Sequence, residues 1–264
     1  FAMHILHLPI RIGTRGSPLA LVQARAVAAA LAAHTERAVE IVVVRTVGDR
    51  DRTTPLPAFG GAGVFTREID EQQRAGVIDV SVHSLKDLPT EGRDGLLLAA
   101  VPERAAASDA LVASAGRRLA DLPPGARVGT GSLRRRAQLL RVRADLAVCD
   151  VRGNVETRLA AVDEGRLDAV VLACAGLERL GLAARITDVL GGDVLLPAAG
   201  QGALALVTRA DDPWVIALVA RLDHRPTRAA VTAERAVLAA LGGGGPLPVG
   251  ARGVVTGGRL PGSA

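Results

Sequence analysis

Residues 10–46 narrow the fold more than any other stretch of the chain. IRIG (10–13) reads as a short strand, TRGSPLALVQARAVAAALAAH (14–34) as a helix and VEIVVVRT (39–46) as a second strand. Ser17 is placed to cap the helix and Pro18 to occupy its first position. Leu19, Val22, Ala26, Ala29 and Ala30 give that helix an apolar face. A strand as rich in Val and Ile as 39–46 suits a parallel sheet buried on both faces. Strand, helix and strand within these residues make a βαβ unit. In open α/β sheets of this kind, ligands bind at the carboxyl ends of the strands.

The rest of the chain extends the pattern. Residues 48–65, rich in Gly and Pro, read as a long loop; 66–76 as a helix and 77–82 as a strand. Residues 96–114 contain a crossing between domains around Pro102 to Ser108. A second series follows: strand and loop at 126–132, helix at 133–144, strand and loop at 146–154, helix at 155–165, and a strand running into a helix over 167–181. LLPAAGQGALALVTR (195–209) crosses back and adds a strand, and helices follow at 213–224 and 227–242. The tail, GGGGPLPVGARGVVTGGRLPGSA, holds a glycine run and at most one hairpin. The fold expected is α/β, with two halves joined by two crossings and a hinged cleft between them.

Composition limits the function classes. Hydrophobic residues are 49% of 264, ample for packed cores in one large domain or two. Net charge is +5 with a pI of about 10.6, carried by 32 basic residues of which Lys86 is the one lysine. That balance suits acidic partners. With three Phe, one Trp and no Tyr, the stacking platforms of single-strand nucleic-acid binders are missing, so nucleic acid is not expected. Two cysteines, Cys149 and Cys174, make no disulfide framework. Without CxxC, HExxH or a Cys/His cluster, no metal is expected. No apolar run reaches the roughly 18 residues of a membrane span, and no signal-peptide pattern is visible. The expectation is a cytoplasmic monomer.

Charge placement points to a site. In VIDVSVHSLKDLP (77–89), Ile78, Val80 and Val82 alternate with Asp79 and Ser81, and the strand runs into a loop carrying Lys86 and Asp87. A lone ammonium beside a carboxylate at a strand's exit is a candidate site; a solvated surface ion pair is the plainer alternative. Arginines also sit where helices begin. Arg15 precedes the Ser17 cap, Arg134 and Arg135 follow Ser132, Arg152 precedes Asn154 with Arg158 one turn in, and Arg179 closes a similar turn. An exposed cation at a helix N-terminus costs a few tenths to about 1 kcal/mol, and a docked anion reverses that sign. Arginine forks match carboxylates, so the pattern predicts a ligand with several carboxylates or phosphates. A Walker loop and an early GxGxxG are both absent, which disfavours nucleotides. Asp87 is then the carboxylate able to stabilise a cationic substrate nitrogen.

TRGSPLAL (14–21), VHSLKDLPT (82–90), VGTGSLRRRAQL (128–139), VRGNVETRL (151–159), ACAGLERLGL (173–182), LPAAGQGAL (196–204) and TAERAVLAAL (232–241) resemble, in this order, the porphobilinogen deaminase (hydroxymethylbilane synthase) family. The resemblance implies two lobes similar to those of periplasmic binding proteins and a short third α/β domain. Their expected bounds are 6–102 with 203–220, 108–196, and a truncated 225–264. In the family, porphobilinogen loses ammonia and the resulting azafulvene is attacked by a growing polypyrrole. The resemblance implies that Asp87 is the catalytic acid, and that Arg15, Ser17, Ser132, Arg134, Arg135, Arg152, Arg158 and Arg179 bind acetate and propionate side chains. Lys86 matches a cofactor-site lysine, Phe65 a ring over the active site, Gln201 a cleft residue and Asp49 an acidic residue near the cofactor.

The family holds dipyrromethane through a cysteine in the pattern GGCxxPxG. Here the loop reads GGGPLPVG (243–250), with Gly245 at the cysteine position, and Ala62 and Ala58 stand where lysines are usual. From these departures no covalent cofactor is expected. The reading is a deaminating transferase on porphobilinogen or a related aminomethyl-pyrrole carboxylate, a paralogue of hydroxymethylbilane synthase. An authentic synthase and a non-catalytic binder of an acidic small molecule are the alternatives.

Overall fold

The computed structural model describes residues 8–46, 66–242, 248–256 and 262–263. The chain divides into two compact units, Phe1–Arg104 with Ala203–Ala230, and Ala105–Gly202 with Val231–Ala264. The first unit begins with β1 (Ile10–Arg15), α1 (Pro18–Ala32), β2 (Val39–Val44), α2 (Arg67–Arg74), β3 (Val80–Ser84) and β4 (Leu96–Ala100). The second runs through β5 (Asp109–Ala113), β6 (Arg127–Gly129), α3 (Leu133–Val142), β7 (Ala147–Cys149), α4 (Val155–Asp163), β8 (Ala169–Ala173), α5 (Cys174–Arg179) and β9 (Asp188–Leu190). The chain then adds β10 (Leu204–Arg209) and α6 (Pro213–Val219) to the first unit. It ends with α7 (Arg225–Ala240), β11 (Arg252–Gly253) and β12 (Gly262–Ser263).

Each unit is built on a five-stranded sheet, ordered β2-β1-β3-β10-β4 in the first and β7-β6-β8-β5-β9 in the second. In each sheet the first three strands are parallel and the fourth is antiparallel to its neighbours. That antiparallel strand is, in both, the one that opens directly after a crossing: β10 after Gly202 and β5 after the break at Arg104. These are the two α/β lobes with two crossings that the sequence predicts.

Local chemistry explains the elements. In α1 the Ser17 side chain accepts a hydrogen bond from the Ala20 amide and Pro18 opens the helix. Ala24, Val27 and Leu31 pack on Ile10, Ile12, Val80, Val82 and Leu206 to form the first core. In the second unit, Leu111, Val128, Leu139, Val148, Val171 and Leu195 make one cluster. Val112, Leu159, Val162, Val170 and Leu177 make another on the opposite face of the sheet.

Several expectations change. The strand β2 is not buried on both faces: it is the sheet edge, and Val43 is half exposed. The strand expected at 77–82 runs from Val80 to Ser84. Ile78 precedes it and packs with Val44 and Ile69, while the Asp79 amide bonds the Arg11 carbonyl. The crossing expected around Pro102 to Ser108 falls where the chain passes between the units, at Arg104–Ala105, and the strands β4 and β5 flank it.

Gly202 sits at the second crossing with φ +85, and a Cβ there would lie 2.5 Å from the Ala105 carbonyl oxygen. Only glycine tolerates both the angle and the approach. Gly202→Ala is expected to cost about 1–3 kcal/mol, read as a lowered urea midpoint with unchanged m-value.

Candidate functional site

In the first lobe the parallel strands deliver the candidate groups to their carboxyl ends. Arg15 is the last residue of β1, and Ser17 caps the helix that follows. β3, adjacent to β1, ends at Ser84 and turns at once into a 3-10 turn, Leu85–Asp87. Leu85 is fully buried and its amide bonds the Ala203 carbonyl, so the turn is pinned from below. The Leu88 amide closes the turn on the Leu85 carbonyl. Lys86 is thereby left half-buried and Asp87 exposed. The Gln23 side chain donates to the Ser84 hydroxyl at 3.3 Å and ties α1 to the start of the turn.

A buried polar chain underlies β3. The Gln73 Nε2 donates to the carbonyls of Val207 (2.6 Å) and Asp79 (3.2 Å), so its Oε1 is the acceptor for the Ser81 hydroxyl at 2.7 Å. Ser81 Oγ lies 3.0 Å from His83 Nε2. With the Ser81 proton committed to Gln73, Ser81 accepts from His83, which places the imidazole proton on Nε2. Burial, with Arg93 and Arg15 nearby, lowers the His83 pKa to about 3. His83 is thus a neutral structural donor.

In the second lobe, Arg134 and Arg135 turn inward. Asp109, the first residue of β5 and fully buried, accepts from Arg134 Nη2 at 2.8 Å and from Arg135 Nη2 at 2.6 Å and Nε at 3.0 Å. Arg135 also donates to the Val171 carbonyl and Arg134 to the Leu196 carbonyl. Gln201, buried, bridges Asp109 (2.8 Å) and the Ala107 carbonyl (2.6 Å). Burial alone would raise the Asp109 carboxyl, but Arg135 and Arg134 outweigh it and hold it at about 2. The cations in the first turn of α3 therefore carry an internal counter-ion that the sequence reading missed. The signal was a lone acid opening the apolar run DALVA, opposite two adjacent arginines.

The remaining groups stand at the ends of β6, β7 and β8. Ser132 caps α3 by accepting from the Arg135 amide, and Asn154 caps α4 by accepting from the Thr157 amide. Arg152 lies between β7 and that cap, with a buried Nη1 that has no hydrogen-bond partner. Arg158 Nε donates to the Gly153 carbonyl, and Arg179 Nη2 to the Gly202 carbonyl at 2.7 Å. Asp49, Phe65 and Gly245, like Ala58 and Ala62, lie outside the described residues. Among the described residues no group of His, Cys, Asp and Glu could hold a metal, and no helix is long and apolar enough to cross a membrane.

Two of the shifted groups, both buried, contribute to the response to acid. His83 falls from 6.5 to about 3 on folding, and Asp109 from 3.8 to about 2. In both the folded state binds protons less readily, so each contribution is complete above the unfolded value and fades as pH falls to the folded one. The thermal midpoint should fall in two stages, from pH 6.5 downward for His83 and below about 4 for Asp109. His83→Gln should remove the upper stage and leave the lower, in thermal melts from pH 8 to 2.5.

Residues 10–217 match the model of the porphobilinogen deaminase family, described as its dipyrromethane cofactor binding domain. A porphobilinogen deaminase of Roseiflexus castenholzii is 51% identical over 252 residues, covering 95% of this chain and 83% of that one. One from Thermobifida fusca is 52% identical over 244 residues, covering 92% and 76%. Among solved structures, the BvgS VFT2 domain of Bordetella pertussis aligns at 17% identity over 89% of this chain and 93% of that one, with a TM-score of 0.47. The match corrects one expectation. The absence of a covalent cofactor was argued from Gly245, yet the matched domain is defined by the dipyrromethane it binds, and position 245 lies outside the matched residues. The likeness to enzymes of about half-identical sequence over most of their length makes this chain a transferase of the same kind, and it belongs to the porphobilinogen deaminase family.

Proposed function

We propose that the chain deaminates porphobilinogen and joins the resulting pyrrole units into a linear tetrapyrrole, as a hydroxymethylbilane synthase. The observation that carries this reading is Asp87, an exposed carboxylate presented by a pinned turn at the end of β3, inside the matched residues. Its role is to stabilise the cationic aminomethyl nitrogen. The C–N bond breaks with its electron pair on nitrogen, which leaves as ammonia while electrons from the pyrrole nitrogen fill the deficit on carbon. A new C–C bond then forms to the free α-carbon of an acceptor pyrrole, and Asp87 takes the proton that carbon releases. Arg15, Ser17 and Lys86, at the same carboxyl ends of β1 and β3, are assigned to substrate carboxylates.

The second lobe fits the acidic side chains of a dipyrromethane. Arg152 keeps a buried, unpartnered Nη1 beside the N-terminus of α4, where a carboxylate gains both charge and dipole. Ser132, Arg152 and Arg158 would hold that group, with Arg134, Arg135, Arg179 and Gln201 supporting them. When bound, dipyrromethane supplies the pyrrole α-carbon from which the product grows. A monomer working in the cytoplasm on a small polycarboxylate, without nucleic acid, completes the reading; the scarcity of aromatic residues supports the last point.

A second reading, a paralogue that passes the deaminated pyrrole to another acceptor, draws support from Gly245, Ala58 and Ala62. Product analysis separates the two. Incubation of the full chain with porphobilinogen is expected to release ammonia and yield a linear tetrapyrrole. Ammonia without tetrapyrrole favours the paralogue, and neither product overturns both. Asp87→Asn should lower ammonia release by about 10²–10⁴-fold, with stability within about 0.5 kcal/mol of the parent, as for an exposed side chain.

A further inference from the structure

The strand that delivers Asp87 is held from three directions. Val80 and Val82 of β3 enter the first core on the α1 side of the sheet, so Ser81 and His83 face the other way. The three residues before Lys86 then each take a hold from a different element. His83 Nε2 donates to Ser81 Oγ, which is itself bonded to Gln73 of α2. The Ser84 hydroxyl accepts from Gln23 of α1. The Leu85 amide donates to the carbonyl of Ala203, just before β10. Gln73 is fully buried and spends its amide protons on the Asp79 and Val207 carbonyls, which fixes the polar chain on α2. The same helix grips the segment beyond the turn: Asp70 pairs with Arg93, and Arg74 Nε donates to the Asp94 carbonyl at 2.8 Å. An eight-residue helix thus holds the chain on both sides of Asp87.

We propose that His83 is a positioning residue for Asp87: anchored through Ser81 on Gln73, it fixes the direction in which β3 enters the Leu85–Asp87 turn, and so the place of the carboxylate. This rests on the reading of Asp87 as the group that meets the substrate nitrogen. The effect of His83 runs through the turn and not through contact with the substrate. A single 3-10 turn of three residues takes its direction from the strand that feeds it. The imidazole suits the task because it stays uncharged: burial, with Arg93 and Arg15 nearby, disfavours the imidazolium. A reacting group displaced by about 1 Å loses on the order of 10²-fold in rate.

The test is a double-mutant cycle on the full chain, read as kcat for ammonia release from porphobilinogen. His83→Asn, whose amide falls short of Ser81 Oγ, is expected to lower kcat by about tenfold or more. In an Asp87→Asn background the same change should alter kcat by less than about twofold, because a residue that acts through Asp87 has nothing left to position. His83→Gln, which carries an amide donor at the reach of Nε2, should stay within about threefold of the parent. A folded His83→Asn protein with parental kcat shows a structural role alone and overturns the proposal. So does an equal loss in both backgrounds, or a His83→Gln loss as large as that of His83→Asn. If His83→Asn does not fold, Ser81→Ala decides: a loss of about threefold or more that vanishes with Asp87→Asn supports the proposal, and any other result overturns it. A parent protein that releases no ammonia overturns the functional reading and this proposal with it, whereas an active parent with insensitive variants overturns the proposal alone.

Discussion

A carboxylate with no exposed surface, wedged between two guanidinium groups, fixes the second lobe. Asp109 is where β5, α3 and the returning chain at Gln201 meet. Electrostatics there is not an ornament on a packed core, because the three charged groups lie within it. Taking one partner of such a cluster away leaves a buried charge unopposed, typically a matter of about 3–5 kcal/mol. The cluster also settles which parts of the sequence can move independently. The backbone carbonyls of Val171 and Leu196 and the side chain of Gln201 are all recruited to it. The sheet, the first turn of α3 and the second crossing thus share one set of hydrogen bonds.

The first lobe solves a related problem without charge. Below the turn that presents Asp87 lies the chain Gln73, Ser81, His83, closed on the backbone at Val207. Each donor has a matched acceptor, which is how a polar column can sit inside an apolar sheet without loss. The two lobes repeat one sheet order, and in both the candidate groups leave the carboxyl ends of the parallel strands. Asp87 and Lys86 follow β3, Ser132 follows β6 and Arg152 follows β7. The placement is the one expected of ligand sites in α/β sheets.

Much of this was legible in the sequence, and the failures have physical causes. Ser17, Ser132 and Asn154 announce helix starts because a short side-chain oxygen can satisfy an amide that nothing else reaches. Strand position was not legible. VEIVVV reads as a central strand yet lies at an edge, since hydrophobicity reports the company of a residue and not which neighbour supplies it. The crossing between β4 and β5 was legible because Pro102, Glu103 and Arg104 interrupt the apolar run between two five-residue strands. By sequence, arginines at helix starts read as awaiting an external anion. For Arg134 and Arg135 the first partner is Asp109, some 25 residues away in sequence, and local spacing cannot reveal a partner at that range.

The strand order has a bearing on how the chain is made. β10, which joins β3 to β4, is encoded after the whole span from Ala105 to Gly202. As the polypeptide leaves the ribosome, the amino-terminal sheet lacks its fourth member while the later lobe already has all five of its own strands. The sheet begun first therefore receives its last strand after the second sheet has all of its own. Until residue 204 emerges, the facing edges of β3 and β4 are open to wrong pairings.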